Sequence, residues 1–310
     1  MSQTCSDCAE QYEYLIAGIT MIIIGVIGCT INITAIILIF RTVVFHSSFG
    51  CICASHLVAD TGVLVIHILW AGPATILELS PDATTSYLGA RIGQLALLFW
   101  LATLYSQLQI AINRLVAIAW PTKYEAIFSG KWLVLFTSAN WILSGLQSFL
   151  HFWEECTYYF ESDVFSWSYS KTDCGKFSAF YLDFLPSTAA CALIFLLHTT
   201  TFFCLRKKTK MLLQPNAVLL LKKNFRFYIQ GLLTSVTLAS IVVCFNLISQ
   251  FTTNRWQNFL TTTFIWLIAH VMDGVIIISF NKPFRILFWR PCSVLKQKKN
   301  TRSGPMFPST

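Results

Sequence analysis

Of the 310 residues, 55% are hydrophobic and only 12% charged, and the mean hydropathy is +0.62. A chain this apolar is not an ordinary water-soluble domain. Its net charge of +8 reads as a membrane-topology signal rather than a nucleic-acid surface, because the basic residues cluster between and after apolar runs.

Residues 1–14 are an acidic leader with Asp7, Glu10 and Glu13, expected to form an extracellular tail. Leu15–Phe40 follows, the first of seven stretches long enough to cross a bilayer as a helix, which takes about 20 residues. It lacks the basic flank of a signal peptide and outlasts the roughly 7 to 15 residues of such a segment's apolar core, so it reads as a span. The others are Ser48–Ile76, Ile92–Asn113, Trp132–Trp153, Phe177–Leu205, Phe227–Asn254 and Trp256–Asn281. Inside lipid each backbone polar group must be paired within the protein, so residues 15–281 are expected to form an all-α membrane protein, a seven-transmembrane helix bundle. After it, Lys282–Pro291 reads as a short amphipathic helix along the membrane, with Cys292 a candidate palmitoylation site. Residues 282–310 form a cytoplasmic, basic end able to touch anionic lipid, at about 1 kcal/mol per close basic residue.

Charge placement orients the bundle. All but four of the 22 Lys and Arg fall on one side, and the exceptions are Arg91, Lys171, Lys176 and Arg255. Those four share their side with most of the acids, among them Glu154, Glu155, Glu161, Asp163 and Asp173. The positive-inside rule then places the N-terminus outside and the C-terminus in the cytoplasm, which requires an odd number of spans.

The 11 cysteines divide by location. Cys29, Cys191, Cys204 and Cys244 sit in spans as small apolar residues. Cys51 and Cys53 lie at the cytoplasmic start of the second span and should stay reduced. Outside, no cysteine falls between Cys53 and Cys156, so the expected bridge is Cys156–Cys174 within the second outer loop, worth roughly 3 kcal/mol. Cys5 and Cys8 have the spacing of a redox or metal pair but no neighbouring ligands. The sequon Asn32-Ile33-Thr34 lies inside a span and should stay unglycosylated.

Only Asp60 and Asp273 are charges in mid-span, and intramembrane acids usually face a bundle interior. With Asn32 of the first span they form either a structural hydrogen-bond cluster or a hydrated pocket that changes protonation or ion occupancy between two states. Arg114 closes the third span, in "AINRLVAIAWPTKY", where Pro121 ends the helix and opens a loop. Its guanidinium can reach water or the carbonyls of neighbouring helix ends.

Asn113-Arg114-Leu115 resembles the Asp/Glu-Arg-Tyr motif closing the third helix of rhodopsin-like G-protein-coupled receptors. "LVAD" ending at Asp60, Asn32, Trp141 and Pro186 resemble that superfamily's marks on the second, first, fourth and fifth helices. "DGVIIISFNKPF" (Asp273–Phe284) is similar to its seventh-helix Asn-Pro-x-x-Tyr motif. More specifically the chain resembles the nematode serpentine receptor class X chemoreceptors. The stretches that carry this are "SSFGCICASHLVAD", "AINRLVAIAWPTKYEAIFS", the loop from Cys156 through Trp167 to Cys174, "YLDF" and "DGVIIISFN".

The resemblance implies a switch in the plasma membrane of a sensory cell: an unidentified small-molecule ligand in the outer half shifts a pre-existing equilibrium toward a state that activates a heterotrimeric G protein. It assigns Asn113, Arg114 and Tyr124 to G-protein coupling. Asn32, Asp60, Thr103 and Asp273 become a central polar pocket, which holds a sodium ion in many relatives. The chain also departs from the pattern. Asn113 stands for the usual acid, and "LKKNFRF" at the head of the sixth span has none either. Cys244-Phe245-Asn246-Leu247 lacks the usual sixth-helix proline, and Gly274 and Ile277 replace the seventh-helix proline and tyrosine. No cysteine tops the third span, which excludes the superfamily's usual loop disulfide. With no restraining ion pair for Arg114, appreciable basal signalling is expected, and signalling equal to that of empty cells would count against it.

Candidate ligand-pocket residues are Gln94, Trp100, Tyr181, Phe245, Gln250, Trp266 and His270, an aromatic set suited to small neutral or weakly polar molecules. No lysine lies in the seventh span before Lys282, which rejects a retinal-binding pigment. A multi-pass transporter or ligand-gated channel is the competing class, but internal repeats and multiple intramembrane charges are missing. No HExxH, GxSxG or metal-spaced His/Cys motif indicates an enzyme.

Overall fold

The computed structural model describes residues 2–211, 215–281 and 284–286. Most of the expected amphipathic helix, Cys292 and the basic tail lie outside the described residues. Seven long helices carry the fold: α1 (Ser2–Arg41), α2 (Ser48–Ile66), α3 (Tyr87–Ala119), α4 (Gly130–Phe149), α5 (Leu185–Met211), α6 (Pro215–Asn246) and α7 (Ile265–Phe280). With their adjoining helical turns, all seven spans are long and apolar enough to cross a membrane, the seventh running over Arg255–Phe280.

The span expected over Ser48–Ile76 has those bounds in the structure. α4 and α6 stop short of the expected Trp153 and Asn254, α6 ending at Asn246 before a 3-10 turn at Ile248–Phe251. α1, α3 and α5 instead overrun their apolar cores, because a helix continues through polar residues wherever nothing breaks it. α1 thus runs back through the acidic leader, and α6 starts at Pro215, where a missing N–H costs nothing. Breaks are chemically marked. Side-chain oxygens of Ser47 and Ser86 accept from Gly50 N and Gly89 N at the starts of α2 and α3. α3 stops before Pro121, which opens a short helix, Pro121–Ile127.

Three spans contain π-helical turns, at His67–Ala71, Ser178–Phe184 and Leu260–Phe264. Two of these precede prolines. Pro186 has no N–H to give the Leu182 carbonyl, and the Gln147 side-chain amide of α4 donates there instead.

α3 runs through the centre, against α2, α4, α5 and α6, while α1 packs on α2 and α7. Large apolar residues such as Leu135, Ile142 and Leu146 of α4 stay exposed on the outer faces, as a lipid-facing belt requires. Inside, the apolar core is in two parts. One surrounds Trp100, Leu104, Leu238 and Trp266, and the other surrounds Ile39, Phe45, Ile52 and Phe284 at the end where the basic residues gather.

The opposite end is closed by a β-hairpin, β1 (Tyr158–Glu161) with β2 (Ser166–Tyr169), in register Phe160↔Trp167. The expected Cys156–Cys174 disulfide is formed at its base. Phe160, Phe165 and Trp167 are fully buried against the helices. Strand β1 comes so close to α3 that a Cβ on Gly93 would lie 1.7 Å from the Tyr158 carbonyl oxygen, so only glycine fits there. Phe165 turns the hairpin in the left-handed region at φ +55°, costly for a bulky residue. Its carbonyl accepts from Thr263 Oγ1 at 2.6 Å, and its ring packs edge-on to Tyr14 and Phe259.

Candidate functional site

Between the two apolar cores lies a buried polar layer. α2 brings His56 and Asp60, four residues apart and so on one face, and α3 brings Thr103, Ser106 and Gln107 at the same helical spacing. α7 contributes His270 and Asp273, α6 Thr234 and Thr237, and α1 Asn32. Thr103 Oγ1 donates to Asp60 Oδ1 at 3.0 Å, and His270 Nδ1 donates to the same oxygen at 2.8 Å. Thr237 Oγ1 lies 3.3 Å from Asp273 Oδ1, its one hydrogen divided between that oxygen and the Thr234 carbonyl at 2.7 Å. His56 Nε2 stands between the carboxylates, 3.3 Å from Asp60 Oδ2 and 3.2 Å from Asp273 Oδ2.

The four residues assigned from sequence to this pocket, Asn32, Asp60, Thr103 and Asp273, are therefore brought together. Asn32 joins through the α7 backbone, donating from Nδ2 to the His270 carbonyl at 3.1 Å. His270, read as a ligand-pocket residue, belongs here as well. His56, Ser106 and Gln107 were missed; the four-residue step from His56 to Asp60 was the available signal. A Cβ on Gly274 would lie 2.1 Å from Asn32 Oδ1, so glycine in place of the superfamily's proline lets Asn32 dock. Gly274→Ala is expected to displace that amide and cost about 1 kcal/mol, the size of one hydrogen bond. A lower thermal midpoint of the purified protein would show it; an unchanged midpoint would refute the docking role.

Toward the hairpin, a cleft with an empty volume near 280 Å³ is lined by Trp100, Tyr158, Asp183, Ile241, Val242, Phe245, Asn246 and Trp266. Trp100, Phe245 and Trp266 are the sequence-derived pocket residues that the structure gathers there. The other three lie elsewhere. Gln94 accepts from Arg91 Nη1 and donates to the Ser148 carbonyl, toward α4. Tyr181 is exposed beside Phe177 and Phe180, and Gln250 folds back on the Asn246 carbonyl. A residue near the top of a span can face lipid, a neighbour or the interior, and spacing alone did not separate these cases.

Asp183 carries the polarity of the cleft. Its Oδ1 accepts from Trp100 Nε1 at 3.0 Å and Ser187 Oγ at 3.1 Å, and its Oδ2 from Tyr169 OH at 2.9 Å. Burial, with this carboxylate adding to it, pushes the phenols of Tyr158 and Tyr169 well above their usual range, so both stay protonated. From the cleft, Trp100 and Trp266 stand edge-on to each other and both reach His270, which bonds Asp60. Aromatic contacts thus connect the cleft to the polar layer.

At the basic end, Asn113 Nδ2 donates to Tyr124 OH at 3.1 Å. Arg114 is buried, and two aromatic rings enclose it. Its Cζ lies 3.5 Å from the ring centre of Phe49, on α2, and 4.3 Å from that of Phe227, on α6. Nε and Nη2 have no hydrogen-bond partner. No acid approaches the guanidinium among the described residues.

A family model described as "Serpentine type 7TM GPCR chemoreceptor Srx" matches residues 22–281. Two proteins of Caenorhabditis elegans are each 23% identical to the chain. Serpentine receptor class X 45 aligns over 305 residues, 91% of this chain and 83% of that one, and Serpentine receptor class X-43 over 291 residues, 92% and 86%. The crystal structure of squid rhodopsin superposes with a TM-score of 0.68, covering 96% of this chain and 88% of that chain at 16% identity, a likeness of fold.

Proposed function

The chain belongs to the Srx family of serpentine seven-transmembrane G-protein-coupled chemoreceptors, and from that premise we propose how its geometry signals. It is a multi-pass membrane protein and a G-protein-coupled chemosensory receptor. The hairpin end faces outward from the plasma membrane of a sensory cell, and the basic end faces the cytoplasm; the asymmetry of Lys and Arg supports this orientation.

A small ligand enters the cleft beneath the hairpin. Asp183 already accepts three hydrogen bonds, two on Oδ1 and one on Oδ2, so most of its acceptor capacity is spent within the protein. The aromatic walls favour a neutral, weakly polar molecule. Binding there moves Trp100 and Trp266 against His270, and the polar layer couples α2, α3, α6 and α7 to that movement. A ligand shifts the equilibrium only by its difference in affinity for the two arrangements. At the far end, opening frees Arg114 to give its unpartnered N–H groups to carbonyls of a heterotrimeric G protein.

The observation that carries this reading is Arg114: a buried guanidinium, at the basic end of the central helix, with two donors unspent. The test expresses the receptor in cells, screens small odorants for G-protein activation, and repeats the active ones on Arg114→Ala. Activation is expected to disappear in the variant at matched surface level. Currents or solute uptake persisting without any G protein would overturn the reading, as would a C-terminal tag accessible from outside intact cells.

A further inference from the structure

The superfamily resemblance implies a sodium ion in the central polar layer, and the residues present do not fit one. A hard alkali cation wants a shell of oxygens. Here the position between the Asp60 and Asp273 carboxylates faces an imidazole nitrogen, His56 Nε2, at 3.3 Å and 3.2 Å. The three ligand atoms lie within 4.8 Å of one another, and all three residues are buried.

The tautomer of His56 follows from its other nitrogen. Ser106 Oγ spends its hydrogen on the Thr103 carbonyl at 2.9 Å, so at 2.8 Å it can only accept from His56 Nδ1–H. The Nε2 lone pair of a neutral His56 therefore points at two carboxylates. Asp60 Oδ2 accepts no hydrogen bond although it is buried, and no Lys or Arg pairs with either acid among the described residues. The Gln107 amide gives that lone pair one N–H, from 3.0 Å, but the two anionic oxygens beside it still repel one another and the lone pair unless a cation lies among them.

We propose that His56, Asp60 and Asp273 bind a divalent transition metal of the zinc class, clamping α2 to α7. Imidazole with carboxylates is a donor set that zinc accepts. Its bonds of about 2.0 to 2.2 Å would separate tetrahedral neighbours by about 3.3 to 3.5 Å. The two nitrogen-to-oxygen separations, 3.3 Å and 3.2 Å, lie close to that edge. The fourth position falls to water, because the Gln107 atom nearest His56 Nε2, at 3.0 Å, is its amide nitrogen, a donor and not a ligand, while its Oε1 accepts from Thr234 Oγ1 at 3.2 Å. Ser106 is the outer partner that holds the imidazole in its metal-binding tautomer, a role outer hydrogen bonds have at zinc histidines.

The test uses full-length receptor in detergent, with Cys5→Ser and Cys8→Ser so that the N-terminal thiols cannot take metal. The protein is stripped with chelator and exposed to zinc chloride, cobalt chloride or sodium chloride. Wild-type His56 is expected to retain about one equivalent of zinc through desalting, to show the visible absorption of four-coordinate cobalt, and to melt at higher temperature with zinc but not with sodium. His56→Gln and Asp273→Asn should each lose the retained metal and the cobalt spectrum. Ser106→Ala, which touches no metal, should weaken zinc about 10- to 100-fold. Zinc retained equally by His56→Gln, or thermal stabilisation by sodium that zinc does not compete away, would overturn the proposal. Failure of wild type to retain any metal would overturn it too, leaving a protonated imidazole as the cation between the acids. Should His56→Gln fail to fold, Asp273→Asn and Ser106→Ala carry the same decision.

Discussion

Phe49→Leu combined with Phe227→Leu is expected to raise ligand-independent signalling about tenfold. Arg114 lacks the neighbouring and sixth-helix acids that restrain its counterpart in other members of the superfamily, and from the sequence nothing appeared to hold it. The structure supplies a different restraint. The guanidinium is sandwiched between a ring of α2 and a ring of α6, and the basic end cannot open along that seam without separating them. A desolvated cation–π contact is worth about 2 kcal/mol, an exposed one about 0.5 to 1. Loss of roughly 1.4 kcal/mol from the closed state alone multiplies the open population tenfold.

Leucine keeps most of the apolar volume while removing the π face, so the double variant separates cation–π attraction from packing. The readout is G-protein activation without ligand at matched surface expression. Signalling equal to wild type would sink the latch. Adding Arg114→Ala to the double variant should silence it, because the same side chain is both the restrained group and the one offered to the partner. Expected basal activity is thus set by two phenylalanines rather than by the missing ion pair.

The sequence made the frame legible and left parts of the site hidden, for physical reasons. Long apolar runs announce helices because lipid permits little else, and the Ser48–Ile76 span shows how well this works where helix caps and prolines mark the ends. Cys156 and Cys174 were found because few other cysteines could compete on their side. Asp60 and Asp273 stood out because carboxylates in mid-span are rare. His56 did not stand out, since a neutral imidazole resembles ordinary buried polarity until its neighbour four residues on is considered. Phe49 and Phe227 could not be seen at all: their link to Arg114 is purely tertiary, across sequence separations with no periodicity to follow. The hairpin is a different case. "YYFE" and "SWSY" are rich in aromatic strand formers around a short turn, so the signal existed but was masked by reading the segment as loop.

Trp167→Ala should be the most destabilising single change in that hairpin. Its indole stacks on Tyr158 at 5.5 Å, meets Trp266 edge-on at 6.4 Å, and donates from Nε1 to His67 Nε2 at 3.1 Å. The residue thus ties the lid to the π-helical turn after α2, to α7 and to the wall of the cleft. Emptying a fully buried tryptophan site costs about 3 to 5 kcal/mol, because the surrounding aromatics collapse only in part. At a few degrees per kcal/mol, the thermal midpoint should fall by about 10 °C. Trp167→Phe keeps most of the buried area and loses chiefly the bond to His67, so it should give about 1 kcal/mol of that loss. Because Tyr158 lines the cleft and leans on Trp167, the alanine variant should also respond to larger ligands than wild type does. A midpoint within a degree or two of wild type would mean that the disulfide and the remaining contacts hold the lid unaided. In that case the indole could not be the element that shapes the roof of the cleft.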